Sequence, residues 1–409
     1  YTHSSIPAFQ HLAFRMISDP IQLWSEAVFP RTMLWDESGI VLSEGVTWQA
    51  SASGPGRSVG LARALGRLEG GSGGSPWVMG ALAFEETGSV QSPWGDLPGG
   101  RLWLPSRLRV ERAGITLDQR SDRPSAAVER QAPAPWHHAP TEFRELVEDA
   151  AGLVRDGAFR KVVIARATDE TLPKDHRDDV AIARLRAAGG SGATIFAHDL
   201  PDGALFLGAT PELLLSARQH VIETHALAGT CSADVDEAVN AARIAALLGS
   251  TKERKEHGLV VEHLVAALRP RCRPFAVESA PHPRRAGGLI HLETRIAAEL
   301  AVPDHLDAIT ALHPTPATCG LPVATAAHWL ARHEKMQRGL YCGALGWLGT
   351  DNCRVIVPLR CALLSPDRRH ARCFAGVGVV DTSDANAELE ETESKLALVR
   401  RALRIAGHG

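Results

Sequence analysis

The chain has 409 residues, 44% of them hydrophobic and 22% charged, a composition ordinary for a globular protein with a large core. Its formal net charge of −3 gives no broad pull toward nucleic acid or an anionic membrane, so an anionic ligand has to be held by a local cluster of groups. No apolar run approaches the roughly 20 residues of a membrane span, and no basic, apolar leader opens the chain. The expectation is a cytoplasmic protein with no membrane or nucleic-acid partner, a monomer with a homodimer as the alternative.

In chain order, TMLWD, GIVLSE, PWVMGALAF and GRLWLPSRLRV read as strands, separated by Gly-rich stretches such as 70–74. The polar, Pro-rich stretch 119–140 reads as a loop or internal linker. Thr141 reads as the cap of a helix in which Phe143, Leu146, Val147, Ala150, Leu153 and Val154 recur at helical spacing, with Gly157 as its stop. Strands are predicted at 161–168, 193–200, 204–210, 212–217 and 220–227, and helices at 234–248 and 251–268. Further strands follow at 343–348, 353–363 and 371–380, then a closing helix over 384–406. Consecutive strands joined by short turns imply antiparallel sheets with helices packed outside, hence α+β. Neither side of the Pro-rich stretch looks self-sufficient, so 1–409 is read as a single domain. The seven cysteines form no CxxC pair and are odd in number, the pattern of free thiols in a reducing compartment.

Two acidic helix turns are the most informative chemistry. Glu253 and Glu256 stand three apart in TKERKEHGLVV, and Glu388 and Glu391 repeat that spacing in NAELEETESKL, so each pair shares a helical face. If the two faces meet, four carboxylates converge, and a hard cation or shared protons would relieve their repulsion. Oxygen donors without a nearby His or Cys cluster favour Mg²⁺ over zinc. Taken alone, each turn reads first as an ordinary solvated face. Lys161 opens the β-branched run KVVIAR, where a lysine against apolar surface is a candidate general base. Glu212, after Pro211 in GATPELLL, is a candidate acid if partly desolvated. Gly229-Thr230 and the Gly376/Gly378 pair read as small-residue turns able to offer N–H groups to an anion. Arg360 interrupts an apolar strand and needs a buried partner or an anionic ligand, and His291 in IHLETR is by itself more often a satisfied structural histidine than a catalytic one.

The succession KVVIAR, GATPELLL, ALAGT, STKERKEHGLVV, HLETR, LHPTPATCGLP, RGLYCGALGW and AGVGVVDTSDANAELEETESKL resembles the chorismate-utilising enzymes. Isochorismate synthases, salicylate synthases and the large subunits of anthranilate and aminodeoxychorismate synthases belong to that family. The motifs span roughly 140–400, and the portion before residue 140 matches more weakly through GALAFEE and WGDLPGGRLWLPSRL. The resemblance implies two face-packed, mainly antiparallel sheets with helices outside, chorismate as substrate, and Mg²⁺ as cofactor. It implies Glu256 and Glu391 as direct metal ligands and Glu253 and Glu388 as ligands through water. It further implies Lys161 as the base that activates water, Glu212 as the acid for the departing C4 hydroxyl, and His291 in the catalytic pocket. Gly229, Thr230, Ala317, Tyr341, Arg360, Gly376 and Lys395 match substrate-contacting positions. Anthranilate synthases carry glutamine at the position of Lys161, and aminodeoxychorismate synthases carry lysine at that of Ala228, which disfavours both amine-using branches. Ala317 stands where salicylate synthases tend to have threonine, so an isochorismate synthase is the expectation. A salicylate synthase and a non-catalytic chorismate binder are the alternatives. Cys231 stands where the family usually has arginine and reads as an inert replacement. The downstream use of the product stays open among menaquinone, a siderophore and another aromatic metabolite.

Overall fold

The computed structural model describes residues 19–69, 77–89, 93–112, 115–121, 136, 142–349 and 351–405. The Gly-rich stretch 70–74, the cap at Thr141 and most of the 119–140 linker lie outside them.

Two sheets form the molecule, and every strand pairing among the described residues is antiparallel. The first runs Gly320–Leu321, Lys161–Thr171, His370–Val379, Cys361–Leu364, Leu205–Thr210, Thr194–Asp199, Arg31–Asp36, Gly39–Glu44, Arg107–Arg112, Ile115–Arg120. The second runs Cys272–Val277, Leu289–Leu300, Val221–Ser232, Leu213–Arg218, Asn352–Ile356, Ala344–Leu348, Val78–Leu82, Gly100–Leu104, Trp48–Ala52, with His282–Ala286 also on Leu289–Leu300. Strands from before residue 121 enter both sheets, so the weakly matching N-terminal portion is built into the same two layers.

Alternation along the strands sends one apolar set between the sheets and the other outward. Phe196, Phe206 and Phe374 of the first sheet meet Met79, Leu345 and Trp347 of the second in the central layer. On the outer face of the first sheet, Ile182 and Leu185 of helix Asp178–Gly189 and Leu396 and Val399 of helix Ala385–Leu403 cover Leu205, Leu207 and Ala362. Leu61, Val260 and Ile309 from helices Arg57–Glu69, Thr251–Leu268 and His305–Leu312 cover the outer face of the second. The expected α+β sandwich of two face-packed sheets with external helices is the observed fold. Helix starts follow their caps: Asp236 Oδ1 accepts from Ala238 N, Ser250 Oγ from Glu253 N, and Asp384 Oδ1 from Asn386 N and Ala387 N.

Several boundaries differ from those predicted. The run read as one strand over 353–363 is two, Asn352–Ile356 in the second sheet and Cys361–Leu364 in the first, because the chain changes sheets at 357–360. The segment 211–212 makes the opposite change, from Leu205–Thr210 to Leu213–Arg218. The two crossovers lie side by side, joined by Val357 N donating to Glu212 O at 3.1 Å and Thr210 Oγ1 donating to Val357 O at 2.6 Å. Gly229-Thr230 is not a turn but a bulge inside Val221–Ser232, with Gly229 at φ +80°. Gly376 and Gly378 lie within the strand His370–Val379 rather than in a turn. All seven cysteines are free, six buried and Cys231 half-buried. Burial pushes the Cys231 thiol upward, in keeping with an inert replacement. Among the described residues no helix is long and apolar enough to cross a membrane.

Candidate active site

The paired crossovers bring polar side chains into the gap between the sheets, where a continuous strand would have put apolar ones. Glu212 sits on one crossover and is 5% exposed. Burial pushes its carboxyl up to about 8, against the opposing pull of Lys161, Arg284 and Arg360. Arg360 ends the other crossover with φ +47°, a left-handed conformation costing about 1–2 kcal/mol for a residue with a Cβ. Its Nη1 donates to Ala286 O at 2.7 Å and its Nη2 to His291 Nε2. Among the described residues no carboxylate forms an ion pair with Arg360, so its charge is left for a ligand. Burial lowers the guanidinium to about 10, and it stays charged at neutral pH.

His291 lies opposite Thr230 in register, with Nδ1 3.0 Å from Thr230 Oγ1. Arg360 has only donors, so Nε2 of His291 is the acceptor and Nδ1 carries the proton. Burial first, then Arg360 and Lys395, hold this imidazole well below its usual range. The neutral ring therefore orients Arg360, with its one lone pair already taken.

Lys161 is the first residue of its strand, 2% exposed, and its Nζ lies 2.6 Å from Glu256 Oε1. It reaches that carboxylate across the neighbouring strand because residue 378 is glycine. A Cβ at Gly378 would stand 2.4 Å from Lys161 Cε, 2.9 Å from Nζ and 3.0 Å from Glu256 Oε1. Gly376 makes similar room, since a Cβ there would come within 2.9 Å of the Tyr341 hydroxyl. These glycines supply space for side chains rather than an N–H cradle. Gly378→Ala should therefore displace Lys161 and lower kcat by on the order of a hundredfold while the protein stays folded. Steady-state kinetics with a melting curve checks this, and normal kcat would show that the amine's position is not critical.

Most of the expected residues converge on the same cavity. Lys161, Glu212, Gly229, Thr230, Glu256, His291, Ala317, Tyr341, Arg360, Gly376, Glu391 and Lys395 all line it. Tyr341 is buried and stacks on Phe374 with centroids 5.2 Å apart. Lys395 Nζ donates to Gly376 O at 2.8 Å and pairs with Glu391 Oε1 at 2.6 Å.

The four carboxylates do not form one cluster. Glu256 and Glu391 line the cavity, whereas Glu253 and Glu388 do not. Glu253 Oε2 instead stands against Gly229, 3.1 Å from where a Cβ would be, and Glu388 is buried in its helix's first turn. Among the described residues no three His, Cys, Asp or Glu side chains are grouped closely enough to hold an ion. The donor chemistry of Glu256 and Glu391, oxygen alone, suits a hard cation such as Mg²⁺. Each would take it with its carboxylate turned from the lysine that it now meets.

Thr318, Cys342 and Leu359 also line the cavity and were not singled out from the sequence. Thr318 follows Ala317 and Cys342 follows Tyr341, so their adjacency to expected residues was the available signal.

A buried guanidinium with unspent charge, a carboxylic acid kept neutral and a lysine, gathered between two antiparallel sheets, define an enzyme for a small anionic substrate. Residues 108–404 match the family described as chorismate binding enzyme, and the chain belongs to that family. A salicylate biosynthesis isochorismate synthase from Pseudomonas aeruginosa is 39% identical over 309 residues, covering 75% of this chain and 61% of that protein. The isochorismate synthase DhbC of Bacillus subtilis is 30% identical over 358 residues, covering 84% of this chain and 85% of that one. The chain thus spans less than two thirds of the Pseudomonas relative and most of the Bacillus relative. MenF, the menaquinone-specific isochorismate synthase of Escherichia coli, shares the fold with a TM-score of 0.78 at 24% identity, over 95% of this chain and 92% of that structure.

Proposed function

We propose that this protein is an isochorismate synthase that uses Mg²⁺. It would interconvert chorismate and isochorismate by adding water at C2 and releasing the C4 hydroxyl. The observation that carries this reading is the buried Glu212 carboxyl in one cavity with Lys161, where burial pushes it up to about 8. Such an acid has a use where an oxygen must leave, and an amine in the same cavity has a use where water must attack.

Arg360 binds a substrate carboxylate, oriented by His291 through its Nη2. Lys161 takes a proton from the water that attacks C2. Glu212 gives its proton to the C4 oxygen, which departs as water while the ring double bonds shift. One proton is taken and one given, so the net reaction is an isomerisation and runs in both directions. Bound between Glu256 and Glu391, Mg²⁺ would supply positive charge opposite the second carboxylate. Glu256→Gln or Glu391→Gln should raise the Mg²⁺ needed for half-maximal turnover by on the order of tenfold or more, because a neutral amide is a poorer ligand for a hard dication. A Mg²⁺ titration of initial rates tests it, and an unchanged midpoint would remove that residue from the ligand set.

A salicylate synthase would share this acid, base and metal and then expel pyruvate. Ala317 supports the shorter reaction, since a methyl stands where a threonine hydroxyl could direct the enolpyruvyl group, and the hydroxyl of the adjacent Thr318 is engaged by Thr315 O. Incubated with chorismate and Mg²⁺ at neutral pH, the protein should yield a mixture of chorismate and isochorismate, and added isochorismate should run back to chorismate. Pyruvate and salicylate appearing from the start, at the rate of chorismate loss, would transfer the assignment. Unconsumed chorismate with measurable binding would point to a non-catalytic binder.

A further inference from the structure

The strand that carries Lys161 has an incomplete neighbour. On one side it pairs with His370–Val379 from Val162 to Thr171, but on the other, among the described residues, only Gly320–Leu321 pairs with it, opposite Val162 and Lys161. Val163 N still donates to Cys319 O at 2.9 Å, and there the backbone partners stop. The next two backbone groups on that edge are met by an ion pair. Arg338 Nη2 donates to Val163 O at 2.7 Å, and Ala165 N donates to Glu334 Oε1 at 2.7 Å.

The pair is closed on itself and bound to two further walls. Arg338 Nε donates to Glu334 Oε2 at 2.6 Å and Nη2 to Glu334 Oε1 at 2.8 Å. Its Nη1 donates to Thr318 O at 2.7 Å, and its backbone carbonyl accepts from Tyr341 N at 3.0 Å. Arg338 is 0% exposed. Neither Glu334 nor Arg338 lines the cavity, yet Val163, Thr318 and Tyr341 all do.

We propose that the Glu334–Arg338 pair is a positioning device that stands in for a missing strand and holds the Lys161 strand, the Thr318 wall and the Tyr341 turn in mutual register. For packing alone, an apolar pair of similar volume would serve about as well as a buried ion pair. No apolar pair meets Val163 O, Thr318 O and Ala165 N, and the fork of a guanidinium reaches two carbonyls and a carboxylate at once. Lys161 lies two residues from Val163 on the same face of one strand, so a shift at Val163 is carried directly to the amine. The consequence for turnover rests on the isochorismate synthase reading; the consequence for the strand edge does not.

Arg338→Lys tests it, because an ammonium keeps the charge but cannot fork. In the full chain with Mg²⁺, kcat should fall by about tenfold to a hundredfold, with KM for chorismate changed by less than about threefold. Backbone hydrogen exchange should speed up in segments 161–168 and 315–321 while the distant strand Leu213–Arg218 keeps its protection. Glu334→Gln, which retains an acceptor for Ala165 N, should show the same pattern more weakly and decides the matter if the arginine variant does not fold. Exchange rising in all strands together, with kcat tracking the folded fraction, would reduce the pair to a general support and overturn the proposal. So would faster local exchange with normal kcat, or no local change at all. If the parent protein converts no chorismate, the isochorismate synthase reading fails, and the exchange pattern alone decides the proposal.

Discussion

Lys161→Ala should lower turnover of chorismate by about two to four orders of magnitude while leaving chorismate binding measurable, since a positioned base acts on the developing bond and not on the bound ground state. The variant also removes the ammonium that lies 2.6 Å from Glu256 Oε1. If Glu256 is a Mg²⁺ ligand, that ammonium competes with the ion for the same carboxylate, so Mg²⁺ should bind Lys161→Ala at least as tightly as the parent. Calorimetry with chorismate and with Mg²⁺, beside initial rates, separates the possibilities. A slow variant that binds both ligands has lost its base. A slow variant that has lost Mg²⁺ would mean that Lys161 supports the metal site, and a normal rate would show that water is activated by another group.

The strand bearing Lys161 was legible because KVVIAR is β-branched and its lysine comes first, and the structure starts a strand there. The helix 251–268 was equally legible from the Val, Leu and Ala gathered on one side of it. The crossover at 357–360 was not, because RVIVPLRCALL is apolar on both sides of the change. A chain buried in one sheet and then in the other leaves only Pro358 and Arg360 to mark the switch, an interruption too short to separate two strands by pattern. Spacing showed that Glu253 shares a face with Glu256, and Glu388 with Glu391. It could not show which member of each pair reaches the cavity, since that depends on how each helix is rotated against its sheet. Gly376 and Gly378 were misread because closely spaced glycines in an apolar run resemble a turn. Their use is to admit Tyr341 and Lys161, and contacts across such sequence distances leave no local pattern. Arg338 was passed over for the same reason: its partners Val163 and Thr318 are brought to it only by the completed sandwich.

Glu212→Gln should produce a protein that is slower by about two to four orders of magnitude and yet more stable. The amide keeps the size of the carboxyl group but has no proton to give to the C4 oxygen. Stability follows from linkage. The Glu212 carboxyl has an ordinary value of 4.5 and is pushed up to about 8 in the folded protein, chiefly by burial. The folded state therefore holds one proton more than the unfolded chain between those two values. The associated stability is fully present below about 4.5, falls as pH rises, and is lost once pH passes through about 8. At pH 7 the wild type has forgone about 3 kcal/mol, and glutamine, which does not titrate, avoids that loss. The melting temperature of Glu212→Gln should thus exceed that of the wild type at pH 7, by a margin that widens from pH 5 to pH 8. In the parent, kcat/KM should decline above about pH 8 by roughly tenfold per unit, as the acid loses its proton in the free enzyme. Melting curves and kcat/KM across this range test both halves together. A parent rate that stays level to pH 9, with a variant no more stable at pH 8 than at pH 5, would mean that Glu212 is ionised in the fold and is not the acid.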